Sequence, residues 1–186
     1  MFNFSSPSCR QIFVCIAALA LSASSCRAQA TANLNVTMNV QSTISLTFQN
    51  LTGAPKPGAC ALTNAGTNNV GLDLGTAFFI FTTSPCATFT FIPGGFQESS
   101  QFAVQVNKTN SSSANYRLQA SLSTPPPANV KWLINSDVLG TTPVALTGQA
   151  ANAYGAQVTQ TLAVQVGFFV PAQTLQETIT FVATAN

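Results

Sequence analysis

Apolar and polar residues alternate over several short stretches of the chain. The longest alternation runs from Leu34 to Phe48, with an apolar side chain at every even position except Ser42. Because successive side chains of a β-strand point to opposite faces, this period of two places all of the apolar side chains on one face. Comparable alternation predicts further strands at residues 70–74, 89–91, 102–106, 116–122, 162–170 and 179–183.

Residues that favour turns separate these stretches. They cluster at 53–58, 93–95, 110–113, 125–127 and 140–143, and no stretch has the apolar spacing of an amphipathic helix. Eight or so short strands joined by turns, in a chain of this length, are typical of a sandwich of two sheets. We therefore predict an all-β fold, an immunoglobulin-like antiparallel β-sandwich. The uneven loop lengths favour Greek-key connections over the regular meander of a closed barrel.

The run Phe78-Phe79-Ile80-Phe81 breaks the alternation and is apolar on both faces. We interpret it as a strand that is buried on both sides or bent across the core, because phenylalanine side chains are usually buried. An exposed docking surface for a partner chain is the alternative interpretation.

Residues 1–30 have the features of a secretory signal peptide. Arg10 supplies an early positive charge, Ile12–Leu21 is a short apolar centre, and Ala28–Ala30 matches a cleavage site. We predict that a single β-sandwich domain follows at 31–186. The protein is then secreted to the extracellular space or the cell surface, through the periplasm if its source is bacterial. No later stretch is long and apolar enough to predict a transmembrane segment.

Five cysteines reduce to two when the predicted signal peptide is removed. Cys60 and Cys86 remain, and an even pair in an exported protein is expected to form a disulfide bond. A metal site is the alternative, but the chain has no histidine and no second cysteine pair to complete one. Within the signal segment, Cys26 leaves a second route of processing open, in which it becomes a lipid-modified N-terminus.

Charged side chains make up 5% of the chain, against about 25% in ordinary domains. In residues 31–186 the basic and acidic side chains are equal in number, so the formal charge is zero. Such a surface does not attract nucleic acid or anionic lipid. Weak charge repulsion favours close self-association, which suits a chain that packs into a polymer or coat.

The sequence lacks the patterns of common catalytic sites. Without histidine there is no Ser-His-Asp or Cys-His arrangement, and no glycine-rich phosphate loop is present. The four carboxylates of residues 31–186 are widely spaced, so a glycosidase pair is not indicated. We therefore predict that the protein is not an enzyme and uses no cofactor. Trp132 is a candidate platform for a sugar ring, although we favour a core position between two sheets.

Three parts of the chain together resemble the spore coat protein U-like domains, which are related to the pilins of chaperone–usher systems. Leu72-Asp73-Leu74-Gly75-Thr76 is similar to the L-x-F-G-T strand of that family. Phe102–Val106 and then Asn115–Leu118 resemble the paired strands that follow, and the stretch from Thr161 to Phe181 resembles the closing hairpin. The resemblance covers most of residues 33–186.

What the resemblance implies is a subunit of a surface fibre, pilus or coat. Subunits of this kind lend an N-terminal strand to a neighbour's open groove, where backbone hydrogen bonds join the strands and alternate apolar side chains fill pockets. Residues 33–40 have that pattern, or else they form the first strand of their own domain. The side chains that would fill the pockets are Leu34, Val36, Met38 and Val40.

The partners that the resemblance implies are copies of the chain or related subunits, with a periplasmic chaperone and an outer-membrane usher. The predicted function is therefore that of a secreted structural subunit that assembles by β-strand addition. The alternative comes from a different class: a monomeric extracellular adhesin or carbohydrate-binding module that uses a loop end or Trp132.

Overall fold

The structure of this protein is a computed structural model, and it describes residues 37–38, 42–78 and 80–186. Within these ranges every regular element is a β-strand and the strands pair antiparallel. None of the described residues belongs to a helix that could cross a membrane. The predicted all-β class is therefore confirmed. The predicted signal peptide, with Cys26, lies outside the described residues.

Twelve strands follow one another along the described part of the chain. They belong to the unit Val40–Asn186, one of two units into which the chain divides; the other is Met1–Asn39. In chain order the strands are β1 (Thr43–Gln49), β2 (Leu62–Thr63), β3 (Gly71–Leu72), β4 (Thr88–Ile92), β5 (Gly95–Thr109), β6 (Asn115–Leu122), β7 (Val130–Ile134), β8 (Asp137–Val138), β9 (Val144–Ala145), β10 (Asn152–Ala153), β11 (Gln157–Gly167) and β12 (Ile179–Ala185).

Two sheets carry most of these strands. The first has the order β1-β5-β11-β7-β8, and the second has the order β10-β6-β12, with β9 also paired to β6. Two strands pair with the same edge of the long strand β5: β1 pairs with residues 103–109, and β4 pairs with residues 95–99. β2 and β3 form a separate two-stranded sheet.

Alternate side chains of the two large sheets meet in one apolar core. Phe102, Val104 and Val106 of β5 enter it, as do Tyr116 and Leu118 of β6, and all five are at most 5% exposed. Such burial is the main favourable term in folding, at about 25 cal/mol for each Å² of apolar surface removed from water. The alternation predicted for these two strands is confirmed, and it decides which of their side chains enter the core.

Three observed strands are shorter than the alternation predicts. The alternation begins at Leu34, but β1 begins at Thr43, and the described residues Thr37 and Met38 belong to no strand. β11 ends at Gly167 and does not continue to Val170, because the Val170 N–H turns back and donates to the Gly167 carbonyl. The stretch 70–74 contributes only the two residues of β3. Leu74 is followed there by Gly75 at a φ of 84°, a conformation that glycine adopts without strain and that ends an extended segment.

The interpretation of the Phe78–Phe81 run as a buried strand is wrong for its described residues. Phe78 is 46% exposed, Ile80 65% and Phe81 50%. The segment is a tight turn closed by one bridge between Ala77 and Thr82, and the Phe78 N–H donates to the Phe81 carbonyl. Because this turn pairs with neither large sheet, Phe78 and Phe81 stack on each other, with ring centroids 4.7 Å apart.

The predicted disulfide bond between Cys60 and Cys86 is present, with the Cα atoms 4.8 Å apart. It joins the loop between β1 and β2 to the segment that precedes β4. The Cys60 N–H also donates to the hydroxyl group of Ser100 on β5, at 2.8 Å. The disulfide bond joins the two loops to each other, and the hydrogen bond to Ser100 attaches them to the first sheet.

Candidate functional site

Two edge strands lie next to each other on one side of the molecule. β1 is the last strand of the first sheet, and β12 is the last strand of the second. The ring of Phe48 on β1 meets the ring of Phe181 on β12 with centroids 5.3 Å apart, yet no hydrogen-bonded ladder joins the two strands. Among the described residues, no strand therefore joins the two sheets between β1 and β12.

An apolar groove of about 950 Å³ lies between these strands. Ile44 and Leu46 of β1 form one wall, Ile179 and Phe181 of β12 form the other, and Phe102 of β5 lies deeper. The four wall side chains are only partly buried, whereas Phe102 is 5% exposed. The groove thus leaves uncovered the side chains that a neighbouring strand covers in a complete sheet.

The outer edge of β12 presents unpaired backbone groups. The Thr178 carbonyl accepts from the Ser123 N–H and the Asn186 N–H donates to the Asn115 carbonyl, so the even positions of this strand face β6. The peptide groups of the odd positions, within Ile179–Ala185, point the other way, because successive residues of a strand alternate in direction. No described residue forms a backbone hydrogen bond with them. Such an edge is a template for pairing with another strand.

The outer edge of β1 is partly closed by a loop. The Phe48 N–H donates to the Thr67 carbonyl at 2.8 Å, and the Gly66 N–H donates to the Phe48 carbonyl at 2.7 Å. At the other end of β1, the outward peptide groups of Ile44 and Leu46 bond to no described backbone group. The longer open edge is therefore that of β12.

Glu177 fixes the start of β12. Its carboxylate accepts hydrogen bonds from the N–H and hydroxyl groups of Ser123 and Thr124, at 2.5 to 3.2 Å, and from the Thr178 N–H at 2.9 Å. Partial burial raises the pKa of this carboxyl group, but the hydrogen bonds lower it by more, so the pKa falls from 4.5 to about 2. The charged form of Glu177 thus holds the end of β6 beside the first residue of the groove wall.

The variant Glu177→Gln is expected to remove part of the pH dependence of stability. Since the pKa of Glu177 is lower in the folded chain than in the unfolded chain, its contribution is present above pH 4.5 and is lost as the pH falls towards 2. Because the group lies near the surface, we expect this contribution to be about 1–2 kcal/mol. Urea unfolding at about pH 6 and about pH 2.5 measures it. The prediction fails if wild type and variant lose the same free energy of unfolding.

The residues that the sequence proposed for a site lie in different places. Met38 is described, and its side chain is 79% exposed. The other strand-exchange candidates, Leu34, Val36 and Val40, lie outside the described residues. Trp132 on β7 is 8% exposed and lines the inner part of the groove, so the indole occupies the core position that we favoured over a sugar platform.

The chemistry of the groove suits an extended apolar segment. The side chains of Ile44, Leu46, Ile179 and Phe181 are apolar, uncharged polar residues also line the groove, and Glu177 is the one charged group among its described lining residues. Nowhere in the described ranges do three acidic, histidine or cysteine side chains come together as a metal site. No protein-family model, curated protein or solved structure matches the chain. The groove and the strand edges are therefore the features from which a function can be inferred.

Proposed function

We propose that this chain is a secreted structural subunit of a cell-surface fibre, pilus or coat, and that it assembles by β-strand addition. The observation that carries the proposal is the groove beside the edge of β12 that pairs with no described strand. Backbone hydrogen bonds along such an edge supply affinity, and pockets for alternate side chains supply specificity. In this proposal the fold is an immunoglobulin-like Greek-key sandwich that lacks one edge strand.

The proposed occupant of the groove is the segment 33–40 of a second copy. Eight residues in a strand span about 26 Å, which is close to the length of the seven-residue strand β12. The apolar side chains of this segment alternate with polar ones, so one face enters the groove while the other meets water. The exposed side chain of Met38 supports this role, since an exposed apolar side chain is free to bind a partner.

Strand direction favours exchange between copies over insertion of the chain into itself. β5 and β6 are consecutive and joined by a short connection, so they run in opposite directions, and β1 and β12 are each antiparallel to one of them. β1 and β12 therefore run in opposite directions. If the segment 33–40 folded back at Gln41 and Ser42 against its own β1, it would run parallel to β12. The same segment of a second copy can approach β12 in the antiparallel direction. Antiparallel pairing is slightly more stable per residue.

The low charge of the chain supports the close packing of many copies. Equal numbers of basic and acidic side chains in residues 31–186 leave little repulsion between subunits. An open edge beside an apolar groove also promotes aggregation before assembly. A periplasmic chaperone that covers the groove, and an outer-membrane usher that exchanges it for the next subunit, are the further partners in this proposal.

Deletion of residues 31–41 is expected to abolish multimers that resist SDS. The wild-type chain, exported into an oxidising compartment and run in SDS without boiling, gives a ladder that collapses to one band on boiling. The deletion removes the donor segment and leaves the groove, so this variant runs as a monomer. A ladder that survives the deletion contradicts the proposal. A single folded monomer from the wild type favours the adhesin or carbohydrate-binding alternative.

Two point variants provide a matched control for the deletion. Val36→Asp places a charge on the apolar face of the donor segment, where it would have to enter the groove, and abolishes the ladder. Thr37→Asp places the same charge on the opposite face, which stays in water, and preserves the ladder. The same gel compares them, and thermal unfolding verifies that both subunits are folded. If both variants reduce the ladder equally, the groove does not distinguish the apolar face of the donor segment from its polar face, and the proposal is contradicted.

A further inference from the structure

A second cavity lies beside the groove, next to the part of the first sheet that β12 does not cover. Its volume is about 640 Å³, within the range of about 300–1,000 Å³ typical of small-molecule sites. Its floor is the inner face of the first sheet, with Phe96, Trp132 and Val164, and the segments 72–78 and 170–175 cover it. Loops and not an open strand edge line the side of this space that faces the sheet, so it is suited to a small molecule.

Glu98 of β5 lies in the wall of this cavity. It is 6% exposed, and its strand neighbours in register are Phe89 on β4 and Val164 on β11. Its Oε1 atom is buried and accepts no hydrogen bond from any described residue. Burial raises the pKa of this carboxyl group, and a hydrogen bond from the Thr82 side chain lowers it in part. A buried carboxyl oxygen without a partner is costly, so this one needs a physical explanation.

The residues around Glu98 favour a positively charged ligand. Four aromatic residues are among the described residues that line the cavity, namely Phe78, Phe96, Trp132 and Phe168, and Asp73 adds a second carboxylate to its lining. No lysine or arginine is found among the described residues that line it. Aromatic faces attract ammonium groups, and the attraction increases when the cation is removed from water. A carboxylate in the wall of a largely apolar space adds the opposite charge that such a cation needs.

We propose that this cavity binds a small organic ammonium ion with an apolar chain, held by the Glu98 carboxylate and the rings of Phe78, Phe96 and Trp132. The apolar chain lies against the leucine and valine side chains of the cavity, and the ammonium group lies among the aromatic rings. This site uses neither the donor segment nor the outer edge of β12, although it shares Trp132 with the inner part of the groove.

Trp132 supplies the test, since it is the one tryptophan of the chain and its side chain lines the cavity. The full chain, exported into an oxidising compartment, is titrated with octylammonium, octanoate and octanol below their aggregation limits, and the tryptophan emission is recorded. We expect octylammonium, whose N–H groups can donate to the Glu98 carboxylate, to bind about tenfold more tightly than either of the other two probes. The Glu98→Gln variant, which keeps the shape and removes the charge, is expected to lose that preference and to bind octanol as before.

Two further variants keep the proposal falsifiable if Glu98→Gln folds poorly. Asp137→Asn removes a carboxylate that does not line the cavity and is expected to leave the ammonium affinity unchanged. Phe78→Ala removes a half-exposed ring at the cavity, and calorimetry is expected to show a loss of about threefold or more for the ammonium probe alone. Equal affinity for the three probes, unchanged ammonium binding by Glu98→Gln or Phe78→Ala, or no response of the emission to any probe would overturn the proposal.

Discussion

The variant Ala183→Pro is expected to be folded and able to donate a strand, but unable to accept one. The N–H of Ala183 lies on the outer edge of β12, where no described backbone group accepts it. Proline is tolerated in edge strands when the lost N–H faces solvent. An added strand would lose one ladder hydrogen bond and meet the proline ring, so we expect about a tenfold or greater loss of multimers.

A control and a mixing experiment make this result specific. Ala183→Val adds similar bulk but keeps the N–H, so it is expected to form the wild-type ladder in unboiled SDS gels. Mixing Ala183→Pro, which can only donate, with the chain that lacks residues 31–41, which can only accept, is expected to yield dimers and no longer species. A normal ladder from Ala183→Pro, or no dimer from two folded partners, would contradict acceptance of a strand at this edge.

Removal of the disulfide bond is expected to cost about 3 kcal/mol of folding free energy. Cys60 and Cys86 are separated by 26 positions in sequence, and cross-linking over a loop of that size lowers the entropy of the unfolded chain by about this amount. The two loops that the bond joins are otherwise held by few hydrogen bonds, among them the bond from the Gly58 N–H to the Cys86 carbonyl. The double variant Cys60→Ala with Cys86→Ala avoids a free thiol.

Thermal and urea unfolding measure the loss. The double variant is expected to melt roughly 10 °C lower than the wild type, given the usual relation between free energy and melting temperature for a domain of this size. Wild type treated with a reductant should show the same change, while the double variant should not respond to the reductant. A loss of free energy below about 1 kcal/mol would show that the loops are held by other contacts.

Strand positions were the part of the fold that sequence reasoning predicted well. The alternation at Ile44, Leu46 and Phe48 became β1, and the alternation beginning at Tyr116 and at Ile179 became β6 and β12. This succeeds because the two-residue period is a local property of an extended backbone. A strand whose inner face is uniformly apolar shows that period in the sequence.

The alternation was less informative where polar side chains occupy inner positions. In the first half of β5, Glu98 and Ser100 are 6% and 1% exposed and lie on the same side of the strand as Phe102. A count of apolar residues does not predict this half of the strand. The sequence does contain one signal, because the side chains at even positions from Phe96 onward lie on the inner face of β5. Their burial arises from pairing with β4 and β11, which lie elsewhere in the sequence.

The described residues of the Phe78–Phe81 run show the opposite case, because the apolar side chains of Phe78, Ile80 and Phe81 stay at the surface. Four consecutive apolar residues indicate burial only if a neighbouring strand is available to pair with them. Here the bridge between Ala77 and Thr82 closes the segment on itself, so its rings stack with each other. Composition therefore pointed to the core, while the local turn prevented the segment from reaching it.

The all-β class, most strand positions, the cysteine pair and the alternating segment at 33–40 can be predicted from the amino-acid sequence. Each of these depends on residue types and on spacing over a few neighbours. The packing of the folded chain was needed to see that one edge of β12 pairs with no described strand, that a groove lies between β12 and β1, and that Glu98 is buried near Trp132. These features depend on which distant strands pair and which edges are left over, and strand pairing is set by contacts between segments far apart in the chain.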